Sequence, residues 1–241
     1  MDSLLQLDQA IFFFFNGMHT PQLDEIMSLL TGRFIWTPLY VALAFYVIKT
    51  FGFKLGMLYV LIIAAVVTAT DQTCSSLIRP WAERLRPANP ENPIAPLVHI
   101  VNGYRGGAYG FPSCHAANSF ALAACYAFLL QRRKITIFLF GWAALNSYTR
   151  LYLGVHYPSD LLVGALIGMA FAVFFCIPAI RFVRDQRHKS LDSISRPRFY
   201  MPRWLSFSNQ HPMGTGITIG DMIIAVGVLN IFVSLIYCVM W

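Results

Sequence analysis

Two histidines, three arginines and one carboxylate carry the chemistry this chain can do, and they stand in three short clusters: Arg79 to Pro87, Pro112 to His115, and Arg150 to Asp160. Arg79, Arg86 and Arg150, brought to one spot without a matching set of carboxylates, would repel one another unless an anion sat between them. Phosphate is the natural anion, because the guanidinium fork pairs with two of its oxygens at once. Ser113 can cap the helix it opens, which turns the first-turn N–H groups and the positive end of the helix dipole towards the same pocket. His115 lies in that first turn, within reach of a phosphorus atom held there. His156 precedes Tyr157 and Pro158, and proline suits a first helical position. Asp160 can then reach back to one ring nitrogen of His156 and fix its tautomer, which leaves the other nitrogen free for proton transfer.

For the clusters to meet, the elements carrying them must end at one membrane face. Of the 241 residues, 57% are hydrophobic and 12% charged, with a mean hydropathy of +0.57, against about 25% charged in ordinary soluble domains. Several apolar runs reach the ~18 to 20 residues a bilayer crossing needs. The expected architecture is all-α: one membrane domain over 1–241, with an N-terminal interfacial helix over Ser3 to Met18 and six spans. The spans are Ile26 to Ile48, Leu55 to Ile78, Ser113 to Leu130, Ile135 to Leu151, Pro158 to Ile180 and Ile217 to Trp241. A Pro-, Gly- and Asn-rich loop of the kind that often carries function fills the stretch from Arg79 to Phe111. Lys49, Lys54, the turn Arg132 to Lys134 and the basic stretch 181–216 fall on one side, which the positive-inside rule makes cytoplasmic. Arg33, Arg79, Arg84, Arg86, Arg105 and Arg150 fall on the other, outer side. The net charge of +7 is therefore topology rather than a nucleic-acid surface. Five cysteines without a C-x-x-C pair indicate neither a metal site nor a disulfide framework. The acidic N-terminus, with its short apolar run, is not expected to be a cleaved signal.

The clusters resemble the signature of the type 2 phosphatidic acid phosphatase superfamily, written K-x6-R-P, P-S-G-H and S-R-x5-H-x3-D. Here they read Arg79-x6-Arg86-Pro87, Pro112-Ser113-Cys114-His115 and Thr149-Arg150-x5-His156-x3-Asp160, within a core of about 71–168. Arg79 stands for the usual Lys, Thr149 for Ser and Cys114 for Gly. The resemblance implies a metal-free membrane phosphatase with no cofactor, acting on a lipid phosphate through a phosphohistidine. It gives His115 the role of nucleophile and makes His156 the acid and base. Asp160 then orients His156, while Arg79, Arg86, Arg150, Ser113 and the first-turn amides hold the phosphoryl oxygens.

Undecaprenyl diphosphate is the first choice of substrate on this reading, because that carrier must lose phosphate outside the cytoplasm. Phosphatidylglycerophosphate, phosphatidate and the phosphates of lipid A suit the same pocket. Two rivals belong to other classes: a lipid-phosphate binder or transporter that lost turnover through Cys114, and the vanadate-dependent haloperoxidases, which are soluble. Arg84 and Arg105 are read as solvated loop or headgroup-contacting residues rather than groups that steer the substrate, and Asp71, Asn146 and Asp221 as polar groups that either support the site or serve structure.

Overall fold

The computed structural model describes residues 2–32, 34–192 and 219–240. All regular structure in them is helical, apart from an isolated bridge between Leu85 and Tyr109 in the long loop. Helix α1 (Asp2–Asn16) buries Phe12 and exposes Leu4, Leu5, Leu7 and Phe14, the two-sided pattern expected of the N-terminal segment.

The first expected span is corrected to two helices, α2 (Pro21–Leu30) and α3 (Thr37–Phe51). The break has a local cause. Proline at the start of α3 has no N–H to continue a ladder from α2, and the Trp36 indole N–H donates to the Leu30 carbonyl at 2.8 Å, satisfying an acceptor that the end of α2 leaves free. Gly52, at φ +83°, turns the chain tightly into α4 (Phe53–Gln72). That helix continues through a π-helical segment, Thr73–Ile78, into a short α5 (Arg79–Ala82).

Helix α6 (Cys114–Leu130) packs against α4, α7 (Arg133–Tyr152) and α8 (Pro158–Phe171). A second π-helical segment, Ala172–Cys176, joins α8 to α9 (Ile177–Asp192). The last helix is α10 (Ile219–Met240). Phe53–Ala82 and Pro158–Gln186 are each long and apolar enough to cross a membrane, and Thr37–Phe51, Cys114–Leu130 and Gly220–Ile236 are shorter apolar helices. Most of the expected basic stretch, from 193 onward, lies outside the described residues.

The packing of α6 on α8 places the site. Between membrane helices small residues win, because dispersion and close backbone approach replace the hydrophobic drive available in water. Helix α6 buries Ala116, Ala117, Ser119, Ala121 and Ala123. Helix α8 answers with Gly164 and Gly168, where a Cβ would be driven into the backbone oxygens of Ser113 and Ala117. We predict that Gly168→Ala lowers stability by about 1–3 kcal/mol through overpacking. Gly141→Ala, on a part of α7 with open space around it, should be neutral or raise stability by up to about 1 kcal/mol. Thermal melts of both variants in detergent check the pair, and equal effects would contradict the close-approach account.

Candidate active site

The start of α6, the loop after α5 and the α7–α8 junction meet at one end of the bundle. Ser113 caps α6, accepting from the Ala116 N–H at 3.5 Å, and its own N–H donates to the Asp160 carbonyl at 3.0 Å. That bond ties two of the sequence clusters together directly.

The three arginines are gripped from behind by neutral acceptors. Arg79 Nη2 donates to the Pro112 carbonyl at 3.1 Å and to Cys114 Sγ at 2.9 Å. Cys114 therefore acts as a holder of Arg79 rather than an obstruction. Arg86 Nη1 donates to the Val155 carbonyl at 3.0 Å and stands 3.0 Å from His156 Nε2. Arg150 Nη1 donates to Thr31 Oγ1 at 2.8 Å and Nη2 to the Tyr104 hydroxyl at 3.2 Å. The Nε–H donors of all three arginines are buried without a hydrogen-bond partner among the described residues. Unpaired buried donors are costly, and three of them on three cations make a site for an anion with several acceptor oxygens.

His156 is buried among these cations. Burial, then the charges of Arg86, Arg150 and Arg79, push its pKa well below the usual imidazole value. Arg86 is itself lowered to about 10, by burial first and then by Arg79 and Arg150, and stays charged near neutrality. On the other side of the ring, Nδ1 faces Asp160 Oδ2 at 3.5 Å. Asp160 Oδ2 also accepts from the Tyr157 N–H at 2.9 Å, which fixes the carboxylate at the start of α8.

Two arginines that the sequence reading left solvated, and two glycines it did not single out, take part in the site. Arg84 donates to Asp160 Oδ1 at 2.7 Å, to Ser159 Oγ at 2.6 Å and to Asp8 Oδ2 at 2.6 Å, with its guanidinium 4.2 Å from the centre of the Tyr157 ring. It is a positioning residue for Asp160, not a solvated one. Gly106, at φ +70°, and Gly110 line the Arg86 side chain: a Cβ would lie 3.2 Å from Arg86 Cζ at the first, and 3.1 Å from Arg86 Cγ and 3.2 Å from Asp160 Oδ2 at the second. Arg105 donates to the Ala88 carbonyl at 2.6 Å, bracing the loop. His115, the second residue of α6, lines a cavity between α3, α4, α6 and α7.

Residues 54–182 match the PAP2 superfamily, more than half of the chain. The chain belongs to that superfamily. It is 52% identical over 168 residues to a lipid A 4′-phosphatase of Bacteroides thetaiotaomicron, covering 70% of this chain and 75% of that relative. It is 30% identical over 169 residues to a lipid A 4′-phosphatase of Porphyromonas gingivalis, covering 70% of this chain and 71% of the relative. Its fold is similar to the crystal structure of a transmembrane PAP2-type phosphatidylglycerolphosphate phosphatase from Bacillus subtilis, with a TM-score of 0.54, 24% identity, and 82% of this chain and 90% of that one covered. The protein is thus an all-α membrane lipid phosphatase of the PAP2 superfamily, a phosphoric ester hydrolase.

Two predictions follow from the geometry. Because the folded pKa of His156 lies below its unfolded value of about 6.5, the unfolded chain binds the extra proton first. This group's contribution to stability is therefore complete above about pH 6.5 and is lost as pH falls towards the folded value. Melting temperature should drop on acidification more steeply in wild type than in His156→Gln. Sulfate, by offsetting the arginine charges, should shrink the difference; identical pH profiles for the two proteins would contradict the assignment. Separately, Arg84→Gln should lower kcat about 10- to 100-fold, as for other outer partners that orient a working histidine, with KM little moved, while Arg84→Lys recovers part of the loss. Steady-state kinetics on both variants test this.

Proposed function

We propose that this protein hydrolyses a phosphate monoester of a glycolipid of the lipid A type at the outer face of the membrane, through a phosphohistidine on His156. The observation that carries the reading is the setting of that imidazole: Nε2 is 3.0 Å from Arg86, Nδ1 faces Asp160 at 3.5 Å, and all three anion-site arginines act on it electrostatically. A phosphoryl group bound to the three free Nε–H donors lies against Nε2, and Asp160 supports the positive ring that forms on attack.

This reverses the roles drawn from sequence, where His115 was the nucleophile. His115 lies in the first turn of α6, two residues after its cap Ser113, and lines the neighbouring cavity, which suits it to the leaving oxygen. In the first step Nε2 of His156 bonds to phosphorus, the bond from phosphorus to the ester oxygen breaks, and His115 gives that oxygen a proton. In the second step His115 takes a proton from water as the water attacks phosphohistidine, which releases inorganic phosphate and restores neutral His156. The buried guanidiniums stabilise charge on the transferring group throughout, and on this reading no metal is required.

The choice of substrate rests on the two relatives named as lipid A 4′-phosphatases. They do not support undecaprenyl diphosphate as first choice. The outer-face assignment is supported by the distribution of basic residues: Lys49, Lys54 and Arg132 to Lys134 stand at the helix ends opposite those bearing Arg79 and Arg150.

The test is phosphate release from lipid A in detergent with EDTA. Wild type should stay active. His156→Ala should lose about 10⁴-fold or more. His115→Ala should lose about 10²- to 10⁴-fold on the lipid, but much less in the first turnover of p-nitrophenyl phosphate, whose phenolate departs without a proton, so that phosphoenzyme accumulates. Phosphoenzyme in His156→Ala and none in His115→Ala would restore the original assignment. Failure to act on lipid A, with release from another lipid phosphate, would remove the substrate and keep the mechanism.

A further inference from the structure

The cavity beside the arginine cluster is not used by the phosphoryl chemistry itself. It holds about 450 Å³, within the ~300 to 1,000 Å³ common for small-molecule sites. It adjoins the phosphate pocket at two points. His115 lines it, and so does Thr31, whose hydroxyl accepts from Arg150 at 2.8 Å. From there it runs along α6, past Asn118, one turn further from the helix start.

Its hydrogen-bonding groups point to what it takes. Asn118 Nδ2 donates to Asp71 Oδ1 at 2.7 Å, and its Oδ1 is buried with no partner among the described residues. The indole N–H of Trp142 is likewise buried and unpaired. The neighbouring Trp36, whose ring meets Trp142 edge-on at 5.7 Å, has its indole N–H satisfied by the Leu30 carbonyl. The residues lining the cavity thus include a buried acceptor and a buried donor without partners among the described residues, a carboxylate, and aromatic walls. A hydrocarbon chain would leave the donor and acceptor unpaired. A ring with hydroxyls on its edges and C–H groups on its faces meets both the polar groups and the aromatic walls.

In-line transfer adds an independent constraint. With His156 attacking from one side of phosphorus, the ester oxygen leaves on the opposite side, near the group that protonates it. His115 is that group and lines the cavity, so the alcohol bearing the oxygen belongs in it.

We propose that this cavity is the subsite for the leaving alcohol and that the alcohol is a hydroxylated sugar ring of a phosphoglycolipid. The inference rests on the phosphatase reading above and adds the residues that read the substrate: Asn118 and Trp142 bond the ring hydroxyls directly, and Asp71 orients Asn118. The experiment compares lipid A carrying its 4′-phosphate with dodecyl phosphate, which has the phosphate and no ring, in wild type, Trp142→Phe and Asn118→Leu. Trp142→Phe removes only the N–H and part of the ring, so it decides the question if Asn118→Leu does not fold. The preference of wild type for lipid A over dodecyl phosphate, as a ratio of kcat/KM, should fall about 10-fold or more in each folded variant, as when a site built to bond a hydroxyl loses that bond. An unchanged ratio, whether both rates fall together or neither moves, overturns the subsite while leaving the phosphatase reading intact. No release from either lipid by wild type overturns both.

Discussion

Three guanidinium groups near one imidazole, those of Arg86 and Arg150 buried and that of Arg79 half-buried, set the terms for the rest of the molecule. Two like charges about 6 Å apart at an effective dielectric of 20 repel by about 3 kcal/mol, so the fold must hold the cluster open against itself. It does so with neutral acceptors: the Pro112 carbonyl and Cys114 sulfur for Arg79, the Val155 carbonyl for Arg86, and the Thr31 and Tyr104 hydroxyls for Arg150. Neutral partners orient a cation without cancelling it. The uncancelled charge keeps His156 neutral when no anion is present, and an anion that offsets it restores basicity to the ring. A carboxylate in place of any of these acceptors would relieve the repulsion and weaken the pocket for phosphate.

Holding that arrangement requires rigidity, which comes from the close packing of α6 on α8. Gly164 and Gly168 let the two backbones approach to a distance no side chain would allow. The Ser113 N–H then reaches the Asp160 carbonyl, so the start of α6 and the start of α8 move as one piece. Because His156 lies two residues before α8 and His115 is the second residue of α6, the same contact restrains the spacing between the two histidines. On the proposed mechanism the pair works on opposite sides of one phosphorus atom and needs a fixed spacing more than a short one.

The clusters were legible because their spacings are local. An arginine seven residues after another, or an aspartate four after a histidine, stays close however the remainder folds. The all-α membrane architecture was legible from long apolar runs, and the start of α6 from a serine cap. What was missed depends on distance or on direction. Arg84 looked solvated because Asp8 and Asp160 lie 76 residues away on either side of it. Gly106 and Gly110 looked like ordinary loop glycines because the Arg86 side chain they accommodate approaches through space. The break between α2 and α3 was hidden by uniform apolarity, although Pro38 gave a local hint. Spacing places both histidines near helix starts and does not separate their roles; the proposed division between them rests on the contact of the His156 ring with Arg86.

Four arginines at this end of the bundle, Arg79, Arg84, Arg86 and Arg150, sort by partner. Arg79, Arg86 and Arg150 keep a buried donor in hand. Arg84 is consumed by two carboxylates, Asp8 and Asp160. The division matters because Asp160 sits within the field of the same cations that the phosphate needs. If Arg84 did not hold its second oxygen, Asp160 could turn towards Arg86 and act as the anion the pocket is meant to receive. Asp8 in turn keeps Arg84 from being drawn wholly onto Asp160, and it also accepts from the Ser159 N–H at 2.9 Å and the Ser159 hydroxyl at 2.6 Å. Helix α1, whose Leu4, Leu5 and Leu7 face outward, is thus more than an apolar surface element. The Asp8 carboxylate of this helix extends a chain of contacts, Asp8 to Arg84 to Asp160, that ends at Nδ1 of His156. Alternation of this kind lets a carboxylate stay beside a catalytic imidazole without neutralising the cations that bind the substrate.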